Sequence, residues 1–276
     1  MAIMMLCALF SSCSNEDFLG EKDSAESCDK ICFGLTSGSE AATRGLCDAQ
    51  QEAYTDCRFV LRSEGSTDSL CLRAIVTDGI YSSQQQEQQA ITRGLPVTGI
   101  NDFHNKFHVL AYWSRNNTLM NTFFMNEDAT NNGSNLWSTE RIYYWPGAEH
   151  TLQFCAWAPS DATNLVAPST PQSKQMTYTV PSEATDQKDI LVALTEEIDG
   201  TNKSTAVPLS FKHICSQIRF VVGSEMQPGT IQSVALKNVA GSGTYDMAAE
   251  SWVLSTETTN FTQTLNKTTT GNEQSG

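Results

Sequence analysis

Leu152-Gln153-Phe154-Cys155-Ala156-Trp157-Ala158-Pro159 decides the fold. In an extended chain successive side chains point to opposite faces. Leu152, Phe154 and Ala156 then share one face, and Cys155 and Trp157 share the other. Both faces are apolar, which places this strand centrally in a sheet that is covered on its second face as well. Pro146-Gly147 supplies the turn that leads towards it.

The rest of the chain has the same texture: short apolar alternations bounded by Gly, Pro, Asn, Asp and Ser, with little helical periodicity. The expected strands are Lys30–Leu35, Arg58–Arg62 and Leu70–Val76 as a hairpin, His108–Trp113, Asn121–Met125, Ile142–Trp145, Met176–Val180 and Asp189–Leu194. After the polar, Gly-containing stretch 196–204, Val207–His213, Gln217–Val222 and Thr230–Val239 follow. The class is all-β, and strands at this spacing read as a sandwich. A domain boundary is expected at Ser204. It separates an N-terminal sandwich over 14–204 from a partial C-terminal one over 205–276, which is too short to complete a sandwich unaided. Residues 82–89, Ser-Ser-Gln-Gln-Gln-Glu-Gln-Gln, have nothing to bury and read as an exposed linker.

Composition narrows the function classes. The net charge is −14, with 7 basic and 14 acidic residues up to Arg93 and 10 and 17 after it. No basic patch tracks phosphates, so nucleic acid is not an expected partner. Nine cysteines are many for an exported chain. Cys28 and Cys32, if extended, stand about 13 Å apart at ~3.3 Å per residue and cannot pair with each other. No Cys/His set recurs at zinc spacing, and neither metal nor cofactor is expected.

At the N-terminus, Leu6-Cys7-Ala8-Leu9-Phe10-Ser11-Ser12-Cys13 reads as the end of a bacterial lipoprotein signal. The apolar run from Ala2 to Phe10 falls short of the roughly 20 residues that span a bilayer. Ser11 and Ser12 allow close approach of a peptidase, and the Cys13 thiol is the acylation site. Residues 1–13 form the signal and lipobox, and Ser14-Asn15-Glu16-Asp17 is an acidic tether of the kind that accompanies export to the outer face of the outer membrane. No Lys or Arg precedes the apolar run, so a positive segment is expected upstream.

Several pieces in a fixed order carry a resemblance. They are Ile31-Cys32-Phe33-Gly34, the Phe59–Ile80 hairpin, Thr92-Arg93-Gly94 before Pro96-Val97-Thr98, and Tyr143-Tyr144-Trp145-Pro146-Gly147. Tyr178–Pro181, Asp186–Ala193, Leu209–His213 and Val234–Val239 continue it. Together they resemble the fimbrillin family, in its Mfa-like branch of lipoprotein precursors of type V pili. The resemblance implies two transthyretin-like Greek-key sandwiches, no enzymatic activity, and partners that are other fimbrial subunits, with the outer membrane held through a lipid anchor and a host or bacterial surface as possible receptor. It also implies a mechanism, in which the precursor's own N-terminal strand completes a sandwich until an arginine-specific protease removes it. An extended segment of another subunit then takes its place.

Arg93-Gly94 suits that cut: it follows the polar linker, and a protease needs an extended, accessible segment. The leader removed would be 14–93. Arg44-Gly45, in the same Thr-Arg-Gly context, is the second candidate. The final residues 268–276 offer nothing apolar for a pocket, so an apolar terminal strand is expected further downstream.

Other constellations are weaker. His104 and His108 lack the glutamate of a metalloprotease motif, no GxSxG occurs, and Gly241-Ser242-Gly243 reads as a turn. Asp186, Asp189, Glu196 and Glu197 read as solvated surface. Trp113, Tyr143, Tyr144, Trp145 and Trp157 fall on neighbouring expected strands and could stack on a sugar, although aromatic side chains more commonly fill sandwich cores. The alternative function is therefore a surface glycan-binding lipoprotein that does not polymerise.

Overall fold

The computed structural model describes residues 30–36, 97, 100–202, 206–216, 218, 220 and 228–270, together with the backbone of 54–62 and 69–77. Among them are eighteen strands, numbered in chain order, and no α-helix. The chain is all-β.

The largest sheet has ten strands. Its path runs β13 (Val207–Leu209), β1 (Phe33–Leu35), β7 (Trp137–Thr139), β6 (Met125–Asn131), β4 (Lys106–Arg115), β8 (His150–Ala158), β11 (Leu191–Leu194) and β14 (Lys212–His213). Off this path β5 (Thr118–Leu119) pairs with β4, and β12 (Ile198–Asp199) with β8. A second sheet joins β17 (Ser251–Leu254), β16 (Ser242–Asp246), β10 (Gln175–Thr179) and β9 (Leu165–Val166). Two ribbons pair only within themselves: β15 (Gly229–Ala240) with β18 (Thr258–Thr269), and β2 (Tyr54–Arg62) with β3 (Ser69–Thr77).

Chain connectivity dictates the shape of the large sheet. Only Ser210 and Phe211 separate β13 from β14, the two ends of the path. Laid flat, eight strands would hold those ends about 34 Å apart, whereas three peptide steps reach at most about 11 Å. The sheet therefore curls until its ends nearly meet, as in a sandwich. The interior of the curl is a core containing Phe33, Phe107, Val109, Trp137, Leu152, Phe154, Leu209 and Phe211.

A second core lies on the other side of β4 and β8. Leu110, Tyr112, Cys155 and Trp157 point into it and meet Met176, Tyr178, Ile190, Val192, Tyr245 and Met247. The two-faced reading of β8 is borne out: Leu152, Phe154 and Ala156 enter the first core, Cys155 and Trp157 the second. Pairing with β4 on one side and β11 on the other makes the strand central.

Pairing runs across the expected boundary at Ser204. Strands β13 and β14 join the first sheet, and β16 pairs with β10. Within the polar stretch before that boundary, the chain makes a tight turn at Gly200. Gly200 N–H donates to His150 O at 2.8 Å, Gly147 N–H donates to Gly200 O at 2.9 Å, and a Cβ on Gly200 would stand 2.5 Å from Gly147 O. Only the absence of a side chain permits that approach.

Other expected elements differ in extent. Ile142–Trp145 makes a single bridge, Lys30 with Tyr144, and not a strand. The strand expected from Asn121 begins at Met125. Most of Gln217–Val222 lies outside the described residues. Gly243 is no turn: it is in β16 beside β17, where a Cβ would meet Val253 O at 2.9 Å and Leu254 Cα at 3.2 Å. Gly243→Ala is expected to lower stability by about 1–3 kcal/mol through this backbone clash, measured as a reduced urea midpoint with an unchanged slope.

Candidate functional site: the slot filled by the leading strand

Ile31, Phe33 and Leu35 alternate as a strand requires, and each lies in the first core at 3%, 0% and 4% exposure. β1 runs parallel to β13, with Phe33 opposite Val207, Gly34 opposite Pro208 and Leu35 opposite Leu209. Its other edge is antiparallel to β7, where Phe33 faces Trp137. Main-chain bonds hold both edges. Val207 N–H donates to Cys32 O at 2.8 Å, Thr36 N–H to Leu209 O at 3.0 Å, and Ile31 N–H to Tyr143 O at 2.8 Å. The Asn135 side-chain amide also donates to Leu35 O at 3.2 Å.

Phe33 is the centre of this contact. Its ring meets Phe107 edge-on at 5.9 Å and Phe154 at 5.4 Å, with interplanar angles of 77° and 78°. Burying three such side chains contributes on the order of 6 kcal/mol as an upper estimate. That is comparable with the roughly 4–15 kcal/mol that a free segment must overcome to associate.

The sequence-derived sites distribute as follows. Cys13, Arg44, Gly45, Arg93 and Gly94 lie outside the described residues. Val97, just beyond Arg93-Gly94, is buried in the first core, and its N–H donates to Asp189 Oδ2 at 3.1 Å. Asp189 Oδ1 in turn pairs with His213 Nδ1 at 2.8 Å. Asp189, read from sequence as a solvated acid, is thus a largely enclosed anchor for the chain after the expected cut. No sequence signal marked it, because its partners lie 24 and 92 residues away.

The aromatic residues do not form one platform. Trp145 is buried in the first core against Phe154, and Trp157 in the second core at 4.4 Å from the His108 ring. Trp113 is half-buried, stacks on His150 at 5.8 Å and donates its indole N–H to Thr122 O at 2.8 Å. Tyr144 is 55% exposed.

Neither histidine of the spaced pair has metal-site company. His108 bonds Asp128 at 2.7 Å and Asn126 at 2.8 Å, while burial holds the His104 pKa below its ordinary value. Among the described residues no three His, Cys, Asp or Glu side chains converge on a metal position. The thiols are equally quiet: burial pushes Cys215 up to about 12, and Cys155 lies wholly inside the second core with its pKa raised by burial.

The family model for fimbrillin-like proteins matches residues 92–275, two thirds of the chain. The chain belongs to the fimbrillin-like family. This fimbrillin-like chain is accordingly a subunit of cell-surface fimbriae, in a family of structural subunits that associate with one another. Comparison with curated proteins and with solved structures gives no match. The matched span begins at the Thr92-Arg93-Gly94 segment, so β1 belongs to the fimbrillin-like chain's leading part, before it.

Phe33→Ala is expected to destabilise the intact chain by about 3–5 kcal/mol, because it empties a pocket walled by aromatic rings. Urea unfolding followed by tryptophan fluorescence measures it.

Proposed function

We propose that this fimbrillin-like chain is exported as a lipoprotein acylated at Cys13 and assembled at the outer surface by protease-triggered β-strand exchange. In this reading an arginine-specific protease cuts at Arg93-Gly94, with Arg44-Gly45 the second candidate. The leader loses its covalent tie, β1 leaves, and an extended segment of another fimbrial subunit enters between β13 and β7. The role is structural or adhesive, with the lipid anchor holding the precursor to the outer membrane until it is cut.

One observation carries the reading: β1 is an integral strand of the large sheet, yet it precedes both candidate cuts. An empty slot would present the Val207 N–H and the Tyr143 and Leu209 carbonyls without partners, beside apolar pockets. Unpaired edges of this kind recruit strands from other chains. The anchor of Val97 on Asp189 supports the same account, since it secures the chain after Arg93-Gly94 when the leader is gone. The glycan alternative draws less support, because Trp145 and Trp157 are enclosed in two different cores.

Treating the purified chain with an arginine-specific protease tests the proposal. Higher oligomers are expected only after cleavage, with a new N-terminus at Gly94 found by mass spectrometry, and Arg93→Ala should suppress both. A fully cut chain that stays monomeric and binds a sugar saturably would favour the alternative instead.

A further inference from the structure

β1 is a template for whatever replaces it, and its side chains meet unequal surroundings. The deepest is Phe33, with no exposed surface and two rings edge-on to it. The aromatic wall continues behind those rings: Phe107 lies 6.1 Å from Trp137 and 5.4 Å from Phe211. Edge-to-face contacts of this kind favour a ring over an aliphatic chain of similar size.

The intervening positions have little room. Cys32 points away from the first core yet is only 6% exposed, so the opposite face is covered there too. A Cβ at position 34 would rest against Ala206 Cβ at 3.6 Å and Asn135 O at 3.7 Å. A methyl group fits at ordinary contact distance.

Direction is specified as well. Among the groups the slot presents are two donors, Val207 N–H opposite position 32 and the Asn135 side-chain amide opposite position 35, and two acceptors, Tyr143 O and Leu209 O, opposite the N–H groups of 31 and 36. Pro208, opposite Gly34, has no N–H to offer. A strand running as β1 runs satisfies these four groups. A reversed strand would pair antiparallel with β13 and parallel with β7, and lose that phase.

We propose that the slot between β13 and β7 selects an extended partner segment of the pattern apolar, small, aromatic, small, apolar, running in the same direction as β1. The inference rests on the strand-exchange reading and adds to it the chemistry of the segment that enters. The central ring sets affinity, the flanking apolar residues set register, and the small residues admit the backbone. A shift of one residue would turn every apolar side chain to the wrong face.

The test uses the full chain after cleavage by the arginine-specific protease, with cutting verified by mass spectrometry. Fluorescent peptides copying residues 30–36, all with Cys32→Ala, are titrated and followed by anisotropy. The parent peptide should bind the cut chain and not the uncut one. Phe33→Leu should weaken it about tenfold and Phe33→Ala roughly a hundredfold or more, while Gly34→Ala stays within about threefold. A peptide of the same composition shifted by one position should not bind.

Equal binding of the parent, Phe33→Ala and shifted peptides would overturn the selectivity and leave strand exchange standing. Failure of every peptide to enter the cut chain would overturn both.

Discussion

Closure of the curled sheet is the constraint on which the structure depends. The two-residue link between β13 and β14 brings the ends of an eight-strand path together, and a curl of that tightness needs a filled interior. β1 lies one strand from the end of that path and places Phe33 between Phe107 and Phe154. Without it β13 would lose its partner along the sheet, and the first core would open to water along one side. Hydrogen bonding and burial therefore act at the same seam, through the same few residues.

The origin of β1 gives the seam its functional character. It is separated from the rest of its sheet by a long leading segment, so its hold combines local contacts with the high effective concentration of an attached chain. Cutting the chain removes the second contribution and leaves the first nearly intact. The strand-exchange proposal rests on this balance, in which the same strand is secure when tethered and exchangeable when free. The second core, shared by β4, β8, β10, β11 and β16, involves none of the β1 side chains. The packing of that core is thus independent of β1.

Much of this was legible in the residues. The two apolar faces of Leu152–Ala158 place β8 at the centre, and the alternation of Ile31, Phe33 and Leu35 marks a strand whose apolar face is buried. The paired strands β2 and β3 fall where apolar runs flank 63–68. Less legible were features made by distant partners. Asp189 is indistinguishable from a surface acid until His213 and the Val97 N–H are brought to it. Gly200 and Gly243 carry turn-like chemistry in sequence, but each serves close approach of backbones that only the fold juxtaposes. Strand β18, Thr258–Thr269, alternates poorly because nearly all of its residues are exposed, so it gave no period to read.

By itself the sequence determined the all-β class, the central strand and the family, because period-two burial is a local property that survives without knowledge of neighbours. The fimbrillin-like resemblance rests on ordered local segments for the same reason. Only the tertiary structure decided which strands meet: that β13 and β14 complete the first sheet beyond Ser204, that Trp145 and Trp157 part into separate cores, and that β1 fills the place between β13 and β7. Strand pairing is a contact between segments far apart in the chain. Alternation says which face of a strand is buried, and carries no information about the edge beside it.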